Sequence, residues 1–144
     1  MITLVYHLNV EEKFQMLIPG LSRTELKTNL GDFWDLPSLK ASILNKEAYA
    51  FHQVNSGYSG VFYVGTSPLS KTIHFFWSGK DKSVEEPVDY IEIDKFLDYM
   101  ARLLDCKYIC CEGRKGWKPI LIPLGYAEDS VIYTKEVSYE LPHV

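Results

Sequence analysis

Apolar positions along this chain alternate between two rhythms, a period of two and a period near 3.6, which are the signatures of strands and helices. "ITLVYHL" (Ile2–Leu8) is rich in β-branched and aromatic residues and predicts a strand. "NVEEKFQML" predicts a helix, with Asn9 as N-cap, acids in the first turn and Phe14, Leu17 and Ile18 on one face. Pro19 and Gly20 are expected to break or kink it, Ser22 and Glu25 to restart a helical turn as a capping box, and Gly31 to end it. "FWDLPSLKASILNKE" predicts a second helix behind Trp34, with Pro37 in its first turn and Leu39, Ile43 and Leu44 at helical spacing.

Three strands are predicted next, Ala48–Val54, Gly60–Gly65 and Lys71–Gly79, and the short turns "NSGYS" and "TSPLS" make them antiparallel neighbours. After the polar loop "KDKSVEEP", Val88–Asp105 predicts the longest helix, with Val88, Ile91, Phe96, Met100, Leu103 and Leu104 as its apolar stripe. Cys106–Gly113 follows as a strand reached through that crossover helix, hence parallel to its predecessor. "RKGWKPILIPLG" predicts a short helix interrupted by Pro119 and Pro123, and Ser130–Tyr139 a final strand. This order specifies an α/β chain of the mixed α+β kind, built on a mostly antiparallel sheet, as a single domain over residues 1–144.

Composition narrows the function classes. With 47% apolar and 24% charged residues the chain has the make-up of a folded domain. A net charge of −4 provides no long-range positive field for nucleic acid or an anionic membrane. No apolar run approaches the ~20 residues that cross a bilayer, and "MITLVYHLNVEEKF" has no basic leader or small-residue cleavage site, so membrane insertion and secretion are not expected. Cys106, Cys110 and Cys111, odd in number and clustered, read as free thiols of a reducing compartment. No metal is expected, because His7, His52, His74 and His143 are scattered and adjacent strand residues such as Cys110 and Cys111 point to opposite faces. Aromatic residues reach 14%, which suits a tightly packed core or a surface made for docking.

Trp34 ahead of the second helix, the strand trio, the helix at Val88–Asp105, "DCKYICCEGRKGW", Gly125 with Tyr126, and Lys135 together resemble the Gcn5-related N-acetyltransferase (GNAT) superfamily, in particular its phage-encoded branch, from Trp34 to Val137. The resemblance implies a central sheet with a V-shaped splay between its fourth and fifth strands and helices on both faces. It also implies acyl transfer from acetyl-CoA to an amine, and that activity makes demands on particular residues. The family holds the cofactor's diphosphate on a glycine-rich loop at the start of the central helix. The matching segment here is "SGKDKSVEEPVD", where only Gly79 is present and Glu85, Glu86 and Asp89 crowd the helix start, offset in part by Lys80 and Lys82. If a cofactor binds, the resemblance assigns it to Trp77, Ser78, Gly79, Lys80 and Arg114.

The family's acid, a tyrosine four residues before the Gly-Phe/Tyr pair, falls on Leu121, and its asparagine falls near Arg114. A replacement acid would be Tyr126, with Tyr108 and Tyr133 as alternatives, and the base Glu112 or His74. The structural alternatives are a strand-end carboxylate paired with Arg114 or Lys115 for Glu112, a half-buried sheet residue for His74, and for "EGRKGW" a turn whose Trp117 plugs the core. The expectation is therefore a GNAT-fold protein that lacks a competent diphosphate loop, holds no cofactor and acts by binding phage or host proteins, as an internal or structural virion component. Two alternatives stand beside it. One is an N-acyltransferase using acetyl-CoA on a host protein, nucleobase or small molecule; the other is a host-takeover inhibitor, in the host cytoplasm rather than the virion.

Overall fold

Strands β1 (Ile2–Val5), β2 (Tyr49–Gln53), β3 (Tyr58–Thr66), β4 (Lys71–Lys80) and β5 (Tyr108–Cys111) hydrogen-bond in chain order into one sheet. The computed structural model describes residues 1–25, 29–113, 115–129 and 132–139. β1 to β4 are antiparallel, and β5 lies parallel to β4 as its crossover helix requires.

Two features of β4 set the geometry that matters here. Its register against β3 shifts between Val61 and Phe62: Val61 faces Trp77, Phe62 faces Phe75, and Phe76 is the extra residue of a bulge. β5 pairs with β4 over Thr72–Phe75 alone, and the ladder ends where the Glu112 N–H donates to the Phe75 carbonyl at 3.0 Å. Past the bulge, Phe76–Lys80 follow β3 and leave β5 behind. The predicted splay between the fourth and fifth strands is thus present, and a strand bend produces it.

α1 (Val10–Lys13), a 3-10 turn over Phe14–Leu17, α2 (Ile18–Glu25) and α3 (Leu36–Leu44) cover one face of the sheet. Their buried residues, among them Phe14, Leu17, Leu21, Leu39 and Ile43, enclose Ala50, Val61 and Trp77. α3 begins as its sequence requires: the Asp35 carboxylate accepts from the Ser38 N–H at 2.8 Å and the Ser38 hydroxyl accepts from the Asp35 N–H at 3.0 Å. Two other expected caps are corrected. Asn9 occupies the N-cap position but its side chain folds back on β1, accepting from the Tyr6 N–H and donating to the Leu4 carbonyl, both at 2.8 Å. Ser22 lies inside α2 and donates to the Ile18 carbonyl at 2.6 Å, because Pro19 sits in the first turn of that helix, where it is tolerated, and does not break it.

α4 (Tyr90–Leu103) covers the opposite face, packing on Phe51, Tyr58, Phe62, Ile73 and Phe75. Its buried stripe is Ile93, Leu97, Met100 and Ala101, whereas Ile91 and Leu103 are 61% and 62% exposed. The expected stripe was wrong at those two residues because two positions along a helix turn by about 200°, which puts Ile91 opposite Ile93. α5 (Lys118–Leu121) continues from a 3-10 turn at Lys115–Trp117 into another at Ile122–Leu124. The expected final strand is not present in its described part: residues 132–139 carry no regular secondary structure and are exposed.

Candidate functional site

The splay opens over the N-terminal half of α4, and a cavity of about 40 Å³ lies within it. Tyr58, Phe75 and Ser78 line it from the sheet, Tyr90, Ile93, Asp94 and Leu97 from α4, and Trp117, Ile120, Leu121, Leu124 and Tyr126 from the segment after β5. That space holds a few waters and no more. Trp117 closes the wall, half-buried against the core and edge-to-face with Tyr90 at 5.7 Å between ring centres. The packing role expected for its ring is the role it has.

Three polar side chains meet at the closed end. The Tyr126 hydroxyl lies beside the Asp94 carboxylate and the Cys111 thiol. Burial raises the Tyr126 pKa, and the neighbouring Cys111, Asp94 and Asp98 add to the effect, so the phenol stays protonated. Burial also pushes the Cys111 thiol up to about 11, which leaves it un-ionised and a poor nucleophile at neutral pH. The Asp94 carboxyl is raised by burial first and by Asp98 second, while the Tyr126 hydroxyl beside it works the other way. As a candidate acid, Tyr126 holds its proton tightly, because burial and the carboxylate beside it both oppose formation of the phenolate.

Glu112 does not join this group as a base. It borders the cavity where β5 ends, yet its charge acts on Tyr63 and Cys110, on the other side of the sheet. His74 is also on that far side, stacked on Tyr63 at 4.9 Å. Tyr126 and Glu112 thus border the same cavity, whereas His74 does not line it.

The residues assigned to a cofactor hold β4 in place. Trp77 is 1% exposed and its Nε1–H donates to the Leu21 carbonyl at 3.2 Å, so the ring belongs to the core under α2. The Ser78 carbonyl accepts from the Thr24 hydroxyl at 2.5 Å and the Lys80 carbonyl from Arg23 at 3.5 Å. Gly79 lies against Gly20 of α2 so closely that a methyl group on either would overlap the other's backbone. Lys80 turns its ammonium onto the Val84 carbonyl. Arg114 lies outside the described residues.

At the start of α4, where N–H groups would face a diphosphate, the Asp89 carboxylate accepts from the Glu92 N–H at 3.1 Å. The Asp89 backbone is gripped in turn by Gln53, 1% exposed, whose amide accepts from the Asp89 N–H at 3.1 Å and donates to its carbonyl at 3.0 Å. Glu92 pairs with the N-terminal ammonium of Met1 at 3.0 Å. Glu85 and Glu86 are exposed in the preceding loop. These groups do not suit a diphosphate: the cap position is filled by a carboxylate, and the surrounding charge has the same sign as the ligand.

Sequence reasoning missed Asp94, Cys111 and Gln53. Asp94 had a signal, a carboxylate between Ile93 and Leu97 on the buried stripe of α4. Gln53 had none for this role, since its partners at the start of α4 are 36 and 39 residues away. Among the described residues no three His, Cys, Asp or Glu side chains converge as metal ligands, and no helix is long and apolar enough to cross a membrane.

No family model matches this sequence, and no curated protein matches it. Solved structures do. An aminoglycoside acetyltransferase from an uncultured soil metagenomic sample, in complex with sisomicin, aligns with a TM-score of 0.70 and 12% identity over 96% of this chain and 95% of its own. The ribosomal-protein-alanine N-acetyltransferase of Brucella melitensis aligns at 0.68 and 11% identity, over 95% and 99%. The glucosamine-6-phosphate N-acetyltransferase of Arabidopsis thaliana aligns at 0.66 and 15% identity, over 96% and 99%. At such identities the likeness speaks for the fold: a five-stranded mixed sheet, splayed where β5 leaves β4, is the fold of the Gcn5-related N-acetyltransferases.

Proposed function

We propose that this chain is a GNAT-fold binding protein that seats no acyl-CoA in its splay and acts by docking on other proteins. The observation that carries this reading is the carboxylate cap at the start of α4, with Asp89 on the Glu92 N–H and Glu85 and Glu86 nearby. Two like charges ~5 Å apart repel by about 3 kcal/mol at an effective dielectric near 20, and by less than 1 kcal/mol in water. Large side chains left in solvent, among them Phe33 (67% exposed), Leu69 (96%) and Tyr99 (57%), suit a protein partner. The narrower form of the proposal, an internal or structural component of a phage particle, is supported by the likeness of "DCKYICCEGRKGW" to the phage-encoded branch.

Acetyl-CoA titration tests this directly. At ~1 mM cofactor, calorimetry is expected to show no binding and the melting temperature no rise, because a ligand that binds the native state must stabilise it by mass action. A saturable heat would overturn the proposal. It would favour the second reading, an acyl-CoA-dependent N-acyltransferase, for which the joint presence of Ser78, Glu112 and Tyr126 around one cavity speaks. Mass spectrometry of purified particles, set beside capture from host lysate, separates a virion component from an inhibitor of a host enzyme.

A further inference from the structure

The face of α4 that looks away from the sheet carries a pattern of its own. At 3.6 residues per turn, Ile91, Glu92, Lys95, Asp98, Tyr99 and Arg102 fall within an arc of about 120° opposite the buried stripe of Ile93, Leu97, Met100 and Ala101. Lys95, Asp98 and Arg102 are exposed, and so are the large apolar side chains of Ile91, Tyr99 and, at the rim of the arc, Leu103. Surface helices usually keep this side polar, so three such side chains along one helix make a strip suited to a partner.

The charges on the strip identify that partner. Read from the N-terminal end, Glu92, Lys95, Asp98 and Arg102 alternate minus, plus, minus, plus, and reversing the order exchanges every sign. Against a second copy of α4 running antiparallel about a twofold axis at the level of Leu97, Glu92 meets the partner's Arg102 and Lys95 meets the partner's Asp98, each pair occurring twice. A parallel contact in register would set every charge against its like. Within one helix these residues stand three or four apart, close enough to pair among themselves, yet none of the ion pairs among the described residues joins two of them. Glu92 shares its carboxylate with the Met1 ammonium and the Gln53 amide, so a second cation there extends an existing network.

We propose that α4 packs through this face on α4 of a second copy of the chain, antiparallel, in a twofold dimer. The contact does not depend on whether the splay holds acyl-CoA, because none of the six residues of the arc lines the cavity. Tyr99 comes level with the partner's Lys95, whose stem it can cover, and Ile91 and Leu103 close the two ends. Exposed ion pairs add little affinity and chiefly fix orientation, so the apolar strip supplies the attraction. A helix of 14 residues offers about 21 Å of contact. That is a small interface, below the ~1,200 Å² of stable complexes, and it implies a dissociation constant on the order of 100 μM.

Sedimentation velocity of the full chain from ~10 to ~500 μM is expected to show a reversible monomer–dimer equilibrium. Lys95→Glu with Arg102→Glu makes the strip wholly acidic, and Glu92→Gln with Asp98→Lys makes it basic. Each of these proteins is expected to stay monomeric alone, and an equimolar mixture to form a heterodimer about as tightly as the wild type pairs with itself. Tyr99→Ala, an exposed change to a better helix former, is expected to weaken the dimer about tenfold without lowering the melting temperature of the monomer. A wild-type chain that stays monomeric throughout would overturn the proposal. So would charge variants that dimerise alone or fail to combine, or a Tyr99→Ala dimer as tight as the wild type.

Discussion

Replacing Asp89 with Ala removes the carboxylate that accepts from the Glu92 N–H at 3.1 Å and leaves the rest of the helix start intact, since Gln53 holds the Asp89 backbone through groups the substitution does not touch. The loss is therefore one cap, worth about 1 kcal/mol within a range of roughly 0.5 to 2. Part of that is charge acting on the helix dipole, about 0.3 to 1 kcal/mol at an exposed site. Asp89→Ser keeps an acceptor and discards the charge, so it should lose the dipole part alone. For a chain of this size 1 kcal/mol moves the melting temperature by about 2 to 4 °C. Thermal unfolding followed by circular dichroism should rank the proteins wild type, then Ser, then Ala, with the gap between wild type and Ser narrowing in 1 M salt as charge is screened. An Ala variant that melts with the wild type would refute the claim that this carboxylate occupies the helix start, and the proposed function would lose its main support.

Gly79→Ala should cost about 1 to 3 kcal/mol, towards the upper end because the obstacle is the Gly20 backbone; the control Gly116→Ala, where an added methyl meets nothing, should stay within ~0.5 kcal/mol. The check is the urea midpoint at unchanged slope. His52, whose Nδ1 is 2.8 Å from the Ser59 hydroxyl, has its pKa lowered from the usual 6.5 by burial, with Asp81 opposing. The folded state therefore resists protonation at this site. The stability tied to neutral His52 is complete above pH ~6.5 and lost as pH falls from there through the folded pKa. His52→Gln should flatten that part of the pH–stability curve relative to wild type, and parallel curves would show that the ring is not strained by charge.

The sheet was legible in the sequence because β2 to β4 are runs rich in aromatic and β-branched residues separated by short turns that make them antiparallel neighbours, and β5 follows a crossover helix that makes it parallel. α3 was legible through Asp35, Pro37 and Ser38, all local signals. Failures followed a rule: they occurred where a distant partner outbid a local preference. Asn9 reads as a cap, but the β1 backbone lies within its reach; Ser22 reads as a helix start, but Pro19 begins α2 a turn earlier. The bulge at Phe76 has no local signature, since it arises from how two strands twist against each other, and so the place where the splay opens could not be located from sequence. Trp77, Gly79 and Lys80 looked available for a ligand because the residues of α2 that engage them, Leu21, Gly20 and Arg23, stand more than fifty positions earlier in the chain.

The contact between Gly20 and Gly79 makes the two arms of the fork unequal. On the β4 arm, helix and strand touch backbone to backbone and are laced by Trp77, Thr24 and Arg23. The β5 arm hangs from four ladder positions and the wedge of one indole. Any molecule prying the fork apart would push against an anchored jaw and a hinged one, so the β5 jaw would yield first.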